Sequence, residues 1–466
     1  MTDKNKTLND FFKYFAGDLF VKGFMFISLP LLSRVMSPDD YGKMSLLNAA
    51  IMILYVFISL NLQNAVINSF MKNDVDFPRY LGTIIIGLVP TQLFLVLLCP
   101  FYAPYIAPLL SISVADLYWV LAICIMLSYI YIYTSYLQGA RLSSEFVKLN
   151  AISKIIEIFL IFLIAYLLLH NKYLSKVYAQ IIVNIFVFIY IFRKIREIAT
   201  FEFDKAYFKM AMMFSVPLMV HVLSNSLLSQ ADRLIISKLM GDYSAGIYSF
   251  SYNLGMCVII IITAWNSSWQ PKLYSLINAN AKKDICRVIY SSSVIVAILS
   301  FFAILFSKEI VIILADRAYH DAINIIPVII FGNALIHVYL SYVNFTFFHK
   351  KTMWVSLGTL MALLVNIVLN YMLIPIYGIT GAAWATVGAY FLLAFFQYLI
   401  SKYVIKENPL SILLLIIYST FFMTALYVSI EVNKLDIVHA VTIKIIISVV
   451  ILVLLYKSKI YNLIKV

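Results

Sequence analysis

Apolar residues run through this chain in long stretches broken by short polar clusters. A helix needs about 20 mostly apolar residues to cross roughly 30 Å of hydrocarbon. Fourteen stretches reach that length: Phe12–Val35, Met44–Ser69, Leu81–Cys99, Leu117–Leu137, Leu149–His170, Tyr173–Phe192, Met210–Ile236, Gly246–Trp269, Val288–Phe306, Ile323–Phe348, Met353–Ile376, Gly381–Ile400, Leu410–Ile430 and Val438–Tyr456. The sixth and ninth are the weakest. The pattern predicts an all-α polytopic membrane protein with about fourteen transmembrane helices. Met1–Asp10 is polar, and the run from Phe11 to Val35 is too long for the apolar part of a signal peptide. That run is expected to be the first membrane helix.

Lysine and arginine order these spans. With the N-terminus in the cytoplasm, and with Lys13, Arg34, Lys176 and Lys444 counted with the segments nearest them, the cytoplasmic segments hold 23 of the 35 basic residues, the opposite segments hold 9, and Lys22, Lys154 and Arg233 lie within spans. Such a bias, alternating along the chain, is the signature that sets orientation. Both termini are expected in the cytoplasm. The largest basic cluster is Arg193, Lys194, Arg196, Lys205 and Lys209, near the chain midpoint. Orientation alone accounts for it.

Composition agrees. The 466 residues are 63% hydrophobic and only 12% charged, with a mean hydropathy of +0.94. Soluble domains run to about 25% charged residues. Lipid must be the main solvent. The net charge of +13 is spread over short loops, where it meets anionic lipid and not nucleic acid. Four cysteines (Cys99, Cys124, Cys257 and Cys286) have no paired spacing, so neither a disulfide framework nor a metal site is expected.

The chain also resembles itself. Leu31-Leu32-Ser33-Arg34-Val35-Met36, then Gly42 and Ser45, recurs 204 positions later as Ile235-Ile236-Ser237-Lys238-Leu239-Met240, then Gly246 and Ser249. Both copies leave a span on the non-cytoplasmic side, so the repeats are parallel, and parallel repeats imply a pseudo-twofold axis along the membrane normal. The expected organisation is an N-terminal six-helix bundle over 1–200, a second over 201–405, and an extra helix pair over 406–466, with the two bundles around a central cavity. This is a transporter architecture. No nucleotide-binding loop GxxxxGK[ST], HExxH, GxSxG or GxGxxG is present. Neither a cofactor nor enzymatic activity is expected.

Two segments carry a resemblance. One is Phe214-Ser215-Val216-Pro217-Leu218-Met219-Val220-His221 with Ser229-Gln230-Ala231-Asp232-Arg233-Leu234-Ile235-Ile236-Ser237-Lys238-Leu239-Met240-Gly241. The other is Asn366-Ile367-Val368-Leu369-Asn370-Tyr371-Met372-Leu373-Ile374-Pro375 with Tyr377-Gly378-Ile379-Thr380-Gly381-Ala382-Ala383-Trp384. With Trp265 and Trp269-Gln270-Pro271, which closes the eighth span, these resemble the polysaccharide-transport branch of the multidrug/oligosaccharidyl-lipid/polysaccharide flippase superfamily. Within it they are most similar to O-antigen (Wzx-type) lipid-linked oligosaccharide flippases. The resemblance implies a two-lobed fold with a cationic cavity. It also implies an undecaprenyl-diphosphate-linked oligosaccharide substrate, moved from the cytoplasmic to the periplasmic leaflet for O-antigen, and hence lipopolysaccharide, or capsule synthesis. A polysaccharide polymerase and chain-length proteins would be partners. Two alternatives stay open: a drug/cation antiporter or other lipid-linked precursor flippase of the same superfamily, and a membrane polysaccharide polymerase or ligase. Outer loops of about 17 residues (Pro100–Asp116 and Ser307–Ala322) are short for the enzyme.

Ionisable groups inside spans are functional candidates by default. Asp18 and Lys22 share a face at i, i+4, where Lys22 could meet a pyrophosphate or simply neutralise Asp18. Lys154 and Glu157, at i, i+3, lie one to two turns from the cytoplasmic end of their span, where snorkelling suffices. Asp232 and Arg233 are adjacent and point apart. Arg34 and Lys238 are repeat equivalents, read as interfacial anchors or contacts for an exiting headgroup. Polar stripes follow: His221, Asn225 and Ser229 in the seventh span, and His337, Ser341 and Asn344 in the tenth. Either could face a cleft or form a helix–helix seam. Asn61 and Asn64, near the middle of the second span, could bind sugar hydroxyls. Asn366 and Asn370 are read as packing, and tryptophans near span ends as interfacial anchors.

Overall fold

The computed structural model describes residues 3–72 and 75–457. Lys459 and Lys465 of the basic C-terminal tail lie outside them. The described residues form sixteen α-helices: α1 Asp3–Val35, α2 Pro38–Ile58, α3 Gln63–Lys72, α4 Phe77–Leu109, α5 Val114–Gly139, α6 Ser143–Leu167, α7 Leu174–Ile198, α8 Lys205–Met240, α9 Asp242–Asn278, α10 Lys282–Leu305, α11 Ser307–Leu314, α12 Ile326–Phe348, α13 Thr352–Tyr377, α14 Ile379–Leu399, α15 Leu413–Asn433 and α16 Ile437–Lys457. No strand occurs among the described residues. Among the described residues thirteen helices are long and apolar enough to cross a membrane, and α16, apolar over Val438–Ile451, stands at the fourteenth predicted span. The protein is a multi-pass, all-α membrane protein.

Two compact units divide the chain, Met1–Gly246 and Ile247–Val466. In the first, α5 packs on α2, α3, α4 and α7, while α6 packs on α7 and α1. Leu47, Ala50, Cys99, Ala103, Leu117 and Cys124 fill one part of its core, and Leu62, Val66, Leu81, Ile84, Tyr133 and Ile191 another. In the second, α14 lies against α12 and α13, and α10 and α15 pack with α12. Lys444 of α16 is completely buried there. Its ammonium donates to both carboxylate oxygens of Glu309 (2.8 Å each) and to the Asn433 amide oxygen (2.7 Å). The sequence reading had placed Lys444 among loop charges.

The repeat is visible as packing inside the first unit. A Cβ on Gly42 would drive into the carbonyl oxygen of Asp242, and one on Gly246 into the carbonyl oxygen of Pro38. Each would also lie 3.0 Å from the other glycine's backbone nitrogen. Pro38 and Asp242 are 204 positions apart, as are Gly42 and Gly246. The two copies therefore meet reciprocally where neither carries a side chain, which is why both positions are glycine.

Four elements differ from expectation. The second predicted span is two helices, α2 and α3, separated by Ser59–Leu62. The third does not end at Cys99. Helix α4 continues to Leu109 through Pro100, Pro104 and Pro108, as apolar surroundings and neighbouring helices permit. The predicted outer loop Ser307–Ala322 folds as α11 followed by a 3₁₀ segment, Arg317–Asn324. The eighth span does not close at Pro271, because α9 carries Pro271 inside it and runs to Asn278. Trp269 is accordingly buried against Trp265 and is not an interfacial anchor (ring centroids 6.4 Å).

The link between α6 and α7 is fixed from three sides. Lys172 donates to the Val35 carbonyl (3.0 Å), the Tyr173 N–H to Asp40 (3.3 Å), and the Lys43 ammonium lies 5.5 Å from the Tyr173 ring. Partial burial, together with the Asp116 carboxylate, pushes the Tyr173 hydroxyl up to about 12. This corner sets the start of α7, and with it the position of Lys176.

Candidate functional site

The first unit carries charge deep inside its helices. Lys13 donates to Ser144 (3.0 Å), and Gly17 lies directly against Val147. The near-constant offset means that α1 and α6 run parallel. At 1.5 Å per residue, Lys22 and Lys154 then sit within about 3 Å of the same height. Helix α6 begins at Ser143, six residues before the predicted span. Lys154 is eleven residues in, about 16 Å along the axis from the helix start.

At this height the Lys22 ammonium pairs with Asp18 (2.7 Å), half exposed. Lys154 pairs with Glu157 (3.0 Å), and the other Glu157 oxygen is taken by Lys176 of α7. Snorkelling is therefore not what Lys154 and Glu157 do: the carboxylate is buried and bridges two ammonium groups. A single carboxylate neutralises one lysine, so the cluster holds one uncompensated positive charge. Lys154 is the more open of the two lysines, with 26% of its side chain exposed against 10% for Lys176. Removing one partner from a buried pair costs several kcal/mol, about 3–5 in measured cases. Sequence reading missed Lys176 and assigned it to a loop. Below it, Gln180 and Asn184 follow at i+4 and i+8 on α7, and each has a buried side-chain atom with no hydrogen-bond partner among the described residues.

The second feature is the joint between α2 and α3. Leu60 and Asn61 are left-handed there (φ 49° and 54°). Asn61 tolerates this because a short polar side chain can bond locally. Its amide oxygen accepts from Gln63 (2.9 Å) and Asn64 (2.7 Å), and its N–H donates to the Ser59 hydroxyl (3.1 Å). Asn61 is completely buried. Behind the joint, the Gln92 amide of α4 donates to the Ile58 carbonyl (3.5 Å), and Tyr129 of α5 donates to Gln92 (2.8 Å). Gln92 is fifteen residues into α4, so the break lies about 22 Å along that helix from its start. Asn61 and Asn64 are thus parts of a helix break and not of a continuous helix face.

Other candidates fall elsewhere. Asp232 and Arg233 are both buried, and Arg233 bonds the Ser229 carbonyl (2.9 Å) and the Gln230 amide oxygen. Arg34 and Lys238 are exposed at the ends of α1 and α8. On α8, His221 is half-buried and Asn225 exposed, and Ser229 donates back to the Ser226 carbonyl (2.9 Å). In the second unit, His337 is buried with Nε2 3.1 Å from the Ser293 hydroxyl and 3.4 Å from that of Ser292. This is a seam between α12 and α10, and Asn344 likewise bonds Asn266 of α9 (2.8 Å). Asn370 bonds Asn366 (3.1 Å) within α13. Among the described residues no cluster of His, Cys, Asp and Glu has the form of a metal site.

The fold defines the class. It matches the lipid II flippase MurJ in an inward closed conformation, with a TM-score of 0.71 at 16% identity over 95% of this chain and 99% of that one. It matches an inward-facing MATE multidrug resistance transporter with a TM-score of 0.60 at 10% identity over 82% and 94% of the two chains. The fold is shared with both of these proteins. Residues 7–277 match the polysaccharide biosynthesis protein family, and the chain belongs to that family. Sequence relatives are an uncharacterized membrane protein of Haemophilus influenzae (22% identity over 376 residues, 76% of this chain and 86% of that protein) and one of Methanocaldococcus jannaschii (21% over 403 residues, 79% and 91%).

Proposed function

We propose that the protein is a flippase for lipid-linked oligosaccharide. It would move repeat units on undecaprenyl diphosphate from the cytoplasmic to the periplasmic leaflet by alternating access. The protein would lie in a bacterial inner membrane with both termini cytoplasmic, and would feed O-antigen or capsule polymerisation beside a polymerase and chain-length proteins. Family and fold support the transport of a glycan precursor. The observation that carries the substrate class is the surplus positive charge around Glu157, at the height of Lys22. A diphosphate crossing hydrocarbon needs cationic partners at that depth. Lys154 and Lys22 are its expected contacts, with Lys176 and Asp18 holding them in place. A cationic drug would be repelled by the same charge, which disfavours the antiporter reading.

Deleting the gene in its own host should cause single lipid-linked repeat units to accumulate on the cytoplasmic leaflet. Lys154→Gln and Lys22→Ala should each lower complementation by tenfold or more at unchanged protein abundance. Normal surface glycan in the deletion strain, with lost drug resistance, would remove the reading.

A further inference from the structure

We propose that the joint between α2 and α3 is a subsite for a sugar hydroxyl of the transported headgroup. The assignment rests on the flippase reading above and adds to it a second site, for the neutral part of the substrate. Two buried side-chain atoms at the joint have no partner among the described residues: the Asn61 amide nitrogen, a donor, and the Gln63 amide oxygen, an acceptor. They belong to residues two apart, already tied together through the Asn61 oxygen. A hydroxyl is the group that accepts one hydrogen bond while donating another. No charged side chain takes part in the joint or in its support by Gln92 and Tyr129. That favours a neutral ligand over an ion. Gln92 and Tyr129 hold the break from behind, so the two amides are positioned before any ligand arrives. Gln63 and Asn64 are only half-buried and form the approach to the fully enclosed Asn61. Broken helices near the bilayer midplane are where membrane transporters place substrate groups.

The test uses the full-length protein in lipid nanodiscs and two probes: a polyprenyl diphosphate carrying a disaccharide, and the bare polyprenyl diphosphate. Gln63→Met removes the acceptor at similar volume. It should weaken binding of the glycan-bearing probe about tenfold, the scale of one hydrogen bond, and leave the bare probe unchanged. Asn61→Gly, which suits the left-handed backbone there, removes the donor together with the oxygen that holds Gln63 and Asn64, and should behave alike. Equal weakening of both probes, or of neither, at an unchanged thermal midpoint overturns the assignment alone and leaves the joint as a helix break filled by water. A wild-type protein that binds neither probe overturns the flippase reading, and this assignment with it.

Discussion

At the scale of single residues, Glu157 is the point on which the first unit's buried charge balances. Its two oxygens serve two lysines, so the three side chains are not interchangeable. Glu157→Gln leaves two ammonium groups facing each other without a counter-ion, whereas Lys176→Met leaves Glu157 still paired with Lys154. The first change should cost about 3–5 kcal/mol and the second distinctly less. Thermal midpoints of the purified variants in detergent check that order, and equal losses would contradict the shared-carboxylate arrangement. This residue also marks what spacing along a chain can reveal. Asp18–Lys22 and Lys154–Glu157 were legible because i, i+4 and i, i+3 place side chains together on one helix, and both pairs form. Lys176 is nineteen positions from Glu157 on the next helix, and no local spacing announces that contact. His337 was legible as buried and polar, but its partners Ser292 and Ser293 lie on another helix for the same reason.

At the scale of elements, spans were legible and their ends were not. The usual stop signal is a glycine in the left-handed conformation just past the helix. Here that conformation falls on Leu60, Asn61, Ser111, Arg141, Asn171, Asn280, Lys350 and Lys406 as well as on Gly241 and Gly378. A sequence that breaks its second span at Leu60 and Asn61 reads as continuous, because leucine gives no warning of a turn. Proline misled in the opposite sense at Pro100 and Pro271, where helices persist. The same observation makes a prediction. Lys350 follows α12, is exposed, and has φ 56°, with its N–H on the Phe347 carbonyl (2.9 Å). A left-handed conformation costs a non-glycine residue about 1–2 kcal/mol, part of which is returned by the greater freedom of an unfolded glycine. Lys350→Gly should therefore stabilise the protein by about 0.5–1 kcal/mol, read as a rise in thermal midpoint. Lys350→Ala, which keeps a Cβ, should not. A gain in both would point to the lysine charge and not to the backbone.

At the scale of the whole chain, the expected orientation rests on charges counted over many loops, so it does not depend on individual helix boundaries. A shift of one helix would have scrambled the alternation, and α1, α2, α4–α10 and α12–α15 supply thirteen spans in the predicted order. Breaking the second span does not alter the count, because α2 alone is long enough to cross and α3 is too short to add a crossing. The repeat was legible as well, since Gly42 and Gly246 keep their spacing for a packing reason that leaves a mark in sequence. The orientation is open to direct measurement. Cysteines placed singly at Asn171 and Lys434, both exposed at predicted outer turns, should react in intact cells with a membrane-impermeant maleimide. Cysteines at Arg141 and Lys350, exposed at predicted cytoplasmic turns, should react only after the membrane is opened. The background must first lose Cys99, Cys124, Cys257 and Cys286, of which the first two are buried and the others half-buried. The reverse pattern at all four sites would invert the protein and send any headgroup the other way. A reversal confined to Lys350 and Lys434 would mean an odd number of crossings between Arg141 or Asn171 and the C-terminal half. In that case the parallel repeat itself would fail, since its two copies could no longer exit on the same side.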